Sequence, residues 1–148
     1  CQRWKRISQL AWYDVKQLDL GHELFEREFK RCFSFTHPDE FAITLIQRCG
    51  SYLKDLEVSD PWSLNLFPVI GQYCRNLTNL ELSYGHYDKH SFKIFTNLEN
   101  LKTFRMYFYT QPRYLDSILM AMPAQNLREL ELCSINIKIK LSYEAAEH

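Results

Sequence analysis

The chain has 148 residues, of which 46% are hydrophobic and 15% aromatic, so it can bury one core of ordinary size. Its 18 basic and 18 acidic residues cancel, which argues against nucleic acid or an anionic membrane as the main partner, because both attract a basic surplus. No apolar run approaches the roughly 18 residues that a membrane-spanning helix needs.

One six-residue phrase recurs along the chain, with apolar residues at its first, fourth and sixth positions. Its copies are VKQLDL (15–20), LKDLEV (53–58), LTNLEL (77–82), LKTFRM (101–106) and LRELEL (127–132). The first interval is 38 residues, and the later ones are 24, 24 and 26. The second half of each copy alternates apolar and polar residues, which predicts a short strand.

The segments between the copies have helical periodicity. In 37–49 the apolar residues Phe41, Leu45 and Ile46 fall on one helical face, and Pro38 suits a first turn. Further helical pieces are predicted at 64–74, 90–98 and 112–122. The tail 136–148 alternates Ile137, Ile139 and Leu141, which leaves two alternatives, one more strand or a ragged end.

A period of 20–29 residues with this phrase is typical of leucine-rich repeats. The expected fold is α/β: a solenoid with a curved parallel sheet on its concave side and helices on its convex side. The recurrent leucines would form one shared core, each contributing about 2 kcal/mol by its burial. The alternative is an ordinary α/β domain whose strands are similar by coincidence.

The five cysteines are odd in number and include no C-x-x-C pair, so neither a disulfide framework nor a zinc site is expected. A reducing compartment, cytosol or nucleus, fits best. Cys49 and Cys74 lie three or four residues before a repeat leucine, and we interpret them as small apolar residues that fill the junction of helix and sheet.

A cysteine at a helix end, followed by YL or NL, resembles the repeats of F-box leucine-rich-repeat proteins, the substrate receptors of cullin–RING ubiquitin ligases. The opening CQRWKRISQLAWYDVKQLDL is similar to the end of an F-box and its junction to the first repeat. The matching residues are Cys1, Arg3, Trp4, Trp12 and Leu18 to Leu20. Taken alone, this stretch also fits a basic amphipathic helix with a buried tryptophan.

The resemblance covers about residues 1–135 and implies three regions. Residues 1–14 would be the end of the F-box and a junction helix, 15–135 the repeats, and 136–148 the tail. The opening has no initiator methionine, signal peptide or transit signature, so we expect a fragment of a longer protein. The resemblance implies that most of the F-box, which in the family docks on the adaptor that joins the cullin, would lie outside this sequence. The glycine–cysteine pair that often follows such strands is also mostly missing, with only Cys133 in place.

The residues that alternate with the leucines are expected to face the concave side and to form ladders between strands. Arg105 interrupts a ladder of carboxylates and would relieve its neighbours. The alternatives are a solvated polar face and a surface that binds a basic or hydrogen-bonding segment of a protein substrate. The candidate partner-binding residues are Asp19, Asp55, Glu57, Asn79, Glu81, Thr103, Arg105, Tyr107, Glu129 and Glu131.

Two other clusters are candidate sites. The aromatic stretch around Tyr107, Tyr109 and Tyr114 is either an interface anchor or the cover of a core end. His86 and His90 stand at i and i+4, but a metal site would need a further ligand and a helix to align them. No motif for a catalytic nucleophile, a phosphate loop or a metalloprotease occurs. We therefore expect no enzyme activity, no cofactor and no metal.

Overall fold

The computed structural model describes residues 12–21, 38–59, 65–84, 91–109, 115–123, 125–134 and 138–142. Strands and helices alternate along these residues. The elements are β1 (Gln17–Leu20), α1 (Pro38–Cys49), β2 (Asp55–Ser59), α2 (Leu66–Tyr73), β3 (Asn79–Tyr84), β4 (Thr103–Phe108), α3 (Leu115–Ala121), β5 (Glu129–Ser134) and β6 (Lys138–Ser142), with 3₁₀ segments at Gly50–Tyr52 and Ser91–Asn97.

The strands form one six-stranded sheet in chain order. Strands β1 to β5 are parallel, and each pairs in register with the next, so that Leu56 stands beside Leu80, Leu80 beside Phe104, and Phe104 beside Leu130. The recurring phrase thus occupies equivalent positions in neighbouring strands. This confirms the α/β class and the largely parallel sheet.

Strand β6 runs antiparallel to β5. Only residues 135–137 link the two strands, whereas a parallel return requires a crossover of roughly a dozen residues or more. The short link therefore leaves a hairpin as the only geometry available. The parallel order ends at β5 for this reason.

The apolar residues of the strands lie on one face of the sheet and pack against the helices. Leu56, Leu80 and Phe104 are at most 2% exposed, and they share one core cluster with Ile46 of α1 and Ile70 of α2. Burial of the strand residues alternates along β2, β3 and β4, as the period of two requires. The opposite face carries the polar residues.

Asparagine side chains join consecutive units. Each of three asparagines directly precedes the first leucine of a repeat phrase and donates its amide Nδ2 to a backbone carbonyl 25 to 27 residues earlier in the chain. The pairs are Asn76 to Ser51 O at 2.7 Å, Asn100 to Arg75 O at 3.0 Å and Asn126 to Glu99 O at 2.6 Å. These bonds give carbonyl groups a partner outside the sheet.

The predicted helical pieces are present with altered limits. The piece predicted at 90–98 is a 3₁₀ segment rather than an α-helix, since Phe, Ile and Thr have low helix propensity. Gly71 in α2 allows close approach to this segment, because an added Cβ would lie 2.8 Å from the Cβ of Ile94. The predicted N-terminal helix lies largely outside the described residues.

Candidate functional site

The face of the sheet opposite the helices is built from three in-register columns, which we call the polar face. One column runs Gln17, Asp55, Asn79, Thr103, Glu129; the second runs Asp19, Glu57, Glu81, Arg105, Glu131; the third runs Ser59, Ser83, Tyr107, Cys133. Neighbouring strands are about 4.8 Å apart. All ten candidate residues named from the sequence lie in these columns.

A groove of about 350 Å³ runs along the polar face. Seven candidate residues line it: Asp19, Asp55, Glu57, Asn79, Glu81, Thr103 and Arg105. Gln17, which belongs to the first column but is not among the candidate residues, also lines it. Tyr107, Glu129 and Glu131 lie in the same columns but outside the groove lining.

Glu57 is the centre of the carboxylate column on β1 to β3. Asp19 and Glu81 stand beside it in register on the two flanking strands. Partial burial, together with the negative charges of Asp19 and Glu81, raises the pKa of the Glu57 carboxyl. No described Lys or Arg lies within ion-pair distance of Glu57. A cation placed here would relieve repulsion that the folded chain otherwise retains.

The side chains at the edges of this column are held in place by hydrogen bonds. The backbone N–H of Gly21 donates to Asp19 Oδ1 at 2.6 Å. The Asp55 carboxylate accepts from Gln17 Nε2 at 3.5 Å and from the amide Nδ2 of Asn79. These neutral donors orient the carboxylates and leave their charges in place, so the groove is both polar and negatively charged.

Arg105 on β4 contacts the carboxylates of both adjacent strands. Its guanidinium lies 3.8 Å from Glu81, 3.3 Å from Glu129 and 3.6 Å from Glu131. Arg105 therefore lies between carboxylates, as the columns read from the sequence predict. It places a positive charge at the end of the groove nearest β5.

Two lysines of β6 neutralise the same part of the face. Lys138 Nζ lies 3.0 Å from Glu131 and Lys140 Nζ lies 3.6 Å from Glu129. The hydrogen bond from Lys138 is the main cause that lowers the pKa of Glu131. Strands β1 to β3 therefore carry four carboxylates and no cation, whereas β4 to β6 carry three cations and two carboxylates.

Sequence reasoning missed Lys138 and Lys140. The apolar alternation of the tail predicts a strand from its isoleucines, but the lysines between them are the residues that face the site. Their spacing was the available indication, because charges at every second position of a strand lie on one face of the sheet.

The aromatic stretch does not form a single surface. Met106 and Phe108 are buried in the core, Tyr107 lies half-buried on the polar face, and Tyr109 is 51% exposed. Partial burial and the nearby charges of Glu81 and Glu131 raise the pKa of Tyr107. Tyr114 lies outside the described residues.

The described cysteines are Cys49, Cys74 and Cys133, and all three are free thiols. Cys49 and Cys74 are fully buried in the core, which agrees with their interpretation as apolar fillers. Burial raises the pKa of Cys74 to about 12. Within the described ranges, no group of three or more His, Cys, Asp or Glu residues is arranged to hold a metal ion. His86 and His90 lie outside these ranges.

Comparisons of the chain with protein-family models, curated proteins and solved structures found no match. Among the described helices, none is long and apolar enough to cross a bilayer. The polar face and its groove are therefore the basis on which a function can be argued.

Proposed function

We propose that this chain is a non-catalytic protein-binding domain, a leucine-rich-repeat solenoid that selects a protein substrate for ubiquitination as part of an F-box protein. The observation that carries the proposal is the polar face: five parallel strands with two polar columns in register across all of them. Such a surface is extended, regular and made of side chains, as suits recognition of another polypeptide.

The repeat architecture is supported by bonds that recur from unit to unit. The carbonyl of Lys54 accepts N–H groups from Thr78 and Asn79, and the carbonyl of Thr78 accepts N–H groups from Lys102 and Thr103. Together with the asparagines that precede each leucine, these contacts repeat at the sequence period. In a solenoid, by definition, each unit bonds mainly to its neighbours.

The charge of the groove favours a basic segment as its ligand. Four carboxylates line the β1 to β3 part, and Glu57 has no cationic neighbour in the described chain. One exposed ion pair contributes only about 0.2–1 kcal/mol, so binding requires several lysine or arginine contacts together with hydrogen bonds to Asn79, Gln17 and Thr103. The attraction should accelerate association at low ionic strength.

The link to ubiquitination rests on the resemblance of the opening segment to an F-box junction. Trp12 is the one matching tryptophan among the described residues, and it packs against the core beside β1. A tryptophan there would join a preceding helical domain to the first strand. The adaptor and cullin would bind through the full-length F-box, and ubiquitin transfer would be carried out by other subunits, in the cytosol or nucleus.

The second candidate is a leucine-rich-repeat interaction scaffold unconnected with ubiquitin. The same polar face favours it equally, because protein binding does not require an F-box. A Leu-Pro-rich helical segment of about 35 residues before Cys1 would favour the F-box protein.

The test is affinity purification of the full-length protein in three forms: native, Glu57→Lys/Glu81→Lys, and Asp14→Lys/Glu99→Lys. The last has the same change in charge, at two exposed turn positions. We expect all three to bring down the adaptor and cullin, and only the groove variant to lose its substrate. Absence of adaptor and cullin from the native sample would favour the scaffold, and unaltered substrate capture by the groove variant would exclude the polar face.

A further inference from the structure

Strand β6 occupies a position on the sheet that differs from the others. It covers the outer edge of β5 and pairs with it through five residues, with Lys140 opposite Glu131 and Ile139 opposite Leu132. Its two lysines reach diagonally to the carboxylates of Glu129 and Glu131. The strand thus contributes its own cations to the polar face.

Among the described elements β6 pairs with β5 alone, and its side chains are largely exposed. Ile139 is half-buried against the core, whereas Leu141 is 53% exposed. The lysine side chains are 68% and 53% exposed, so both ion pairs are accessible to water and salt. Because β6 pairs on one side only and has one half-buried apolar side chain, Ile139, we expect it to open at low free-energy cost.

We propose that β6 is an intramolecular competitor for the edge of β5 and for the carboxylates of Glu129 and Glu131, displaced by a partner segment that bears the same alternation of basic and apolar residues. The inference rests on the proposed function, since it assumes that the chain binds a basic segment of a partner protein. In the free chain Lys138 and Lys140 hold Glu129 and Glu131. In the complex, lysines or arginines of the partner take their place and the partner pairs antiparallel with β5.

Charge complementarity determines this choice of occupant. An acidic or uncharged strand would meet Glu129 and Glu131 without a counter-charge, and Arg105 alone would have to compensate both. In β6 the residues paired with Leu130 and Leu132 are Leu141 and Ile139, and both are apolar. A strand that replaces β6 therefore requires apolar residues at alternate positions. The partner pattern is therefore basic–apolar–basic–apolar, as in the sequence KIKL of β6.

The experiment uses a fluorescent synthetic peptide with the sequence of residues 136–142, NIKIKLS, and the complete chain. In the variant Lys138→Glu/Lys140→Glu, β6 is repelled by Glu129 and Glu131, and we expect the peptide to bind about tenfold more tightly than to the native chain, a difference of about 1.4 kcal/mol. Adding Glu129→Gln/Glu131→Gln to this variant should remove the gain. Lys93→Glu/Lys102→Glu, with the same change in net charge at exposed positions outside the polar face, should leave binding at the native level.

A peptide in which both lysines are replaced by glutamate should bind to none of these proteins. Equal affinity of NIKIKLS for the native and β6 variants, or no binding to either, would overturn the inference and show that β6 is a fixed strand. If the glutamate pair does not fold, Lys138→Gln/Lys140→Gln replaces it, with a gain of about threefold. Substrate capture that depends on Glu57 and Glu81 is measured separately, so failure here leaves the proposed function intact.

Discussion

Replacement of Glu57 by glutamine should stabilise the fold while it weakens partner binding. Asp19 and Glu81 flank Glu57 in register, at a strand spacing of about 4.8 Å. Two like charges about 5 Å apart repel by about 0.8 kcal/mol in water. Roughly half of this remains at physiological ionic strength, where the Debye length is about 8 Å. The two neighbours together make the predicted gain about 1 kcal/mol at pH 7.

The pH dependence of this gain follows from the raised pKa of Glu57 in the folded chain. The folded state holds this proton more tightly than the unfolded state does. The repulsion is therefore absent below the unfolded value of about 4.3, and stability is lost as the pH rises through the folded pKa. The gain from Glu57→Gln should be present at pH 7 and should vanish near pH 3.5, which is below that unfolded value.

Urea denaturation of the native chain, Glu57→Gln and the control Glu99→Gln at both pH values measures the effect. Glu99 is exposed in the turn before β4, and its replacement should change stability by less than about 0.5 kcal/mol. A gain of about 1 kcal/mol corresponds to about 2–4 °C in Tm for a chain of this size. A Glu57→Gln protein that is no more stable than native at pH 7 would refute the reasoning, because the column would then carry no net repulsion.

Three further outcomes are expected. Phe104→Ala removes a fully buried ring and should lower the free energy of unfolding by about 3–5 kcal/mol. Met120→Ala, at a side chain that is 87% exposed, should change it by no more than about 0.5 kcal/mol. Equal losses for the two variants in urea denaturation would contradict the placement of Phe104 in the core. Asn100→Ala removes the hydrogen bond to the carbonyl of Arg75 and should cost about 1 kcal/mol, a value that thermal unfolding resolves. Cys74, with its pKa raised to about 12 by burial, should remain unlabelled by iodoacetamide at pH 8 in the folded protein and become labelled in urea; mass spectrometry that finds it modified in the folded protein would show that the thiol is accessible.

The strands and their alignment were predictable because one constraint determines both. Leu56, Leu80, Phe104 and Leu130 recur at intervals of 24, 24 and 26 residues. A nearly constant interval with an apolar–polar alternation leaves one register in which all apolar residues share a face. The polar columns then follow from the alternation. The columns do not determine which of their residues line the groove, since Gln17 lines it while the candidates Tyr107, Glu129 and Glu131 lie outside it.

Other features depend on three-dimensional context that the repeat phrase does not contain. The ion pairs of Lys138 and Lys140 require the antiparallel register of β6, which in turn depends on the three-residue link before it. The 3₁₀ segment agrees with the low helix propensity of its Phe, Ile and Thr residues, a preference too weak to predict the segment from the sequence. The asparagine bonds had a visible indication, since an asparagine precedes the leucine in three copies, but the acceptor carbonyl belongs to another unit.

A map of where a basic peptide contacts the chain tests the central claim most directly. The probe is a nine-residue peptide of alternating lysine and serine, titrated into the isotopically labelled protein and followed by two-dimensional NMR. The account predicts saturable shifts confined to the groove on β1 to β3, centred on Glu57, which weaken with salt and are absent for the matching glutamate peptide. Shifts centred on the helical side, around Met120 of α3, or identical shifts with the glutamate peptide, would contradict it.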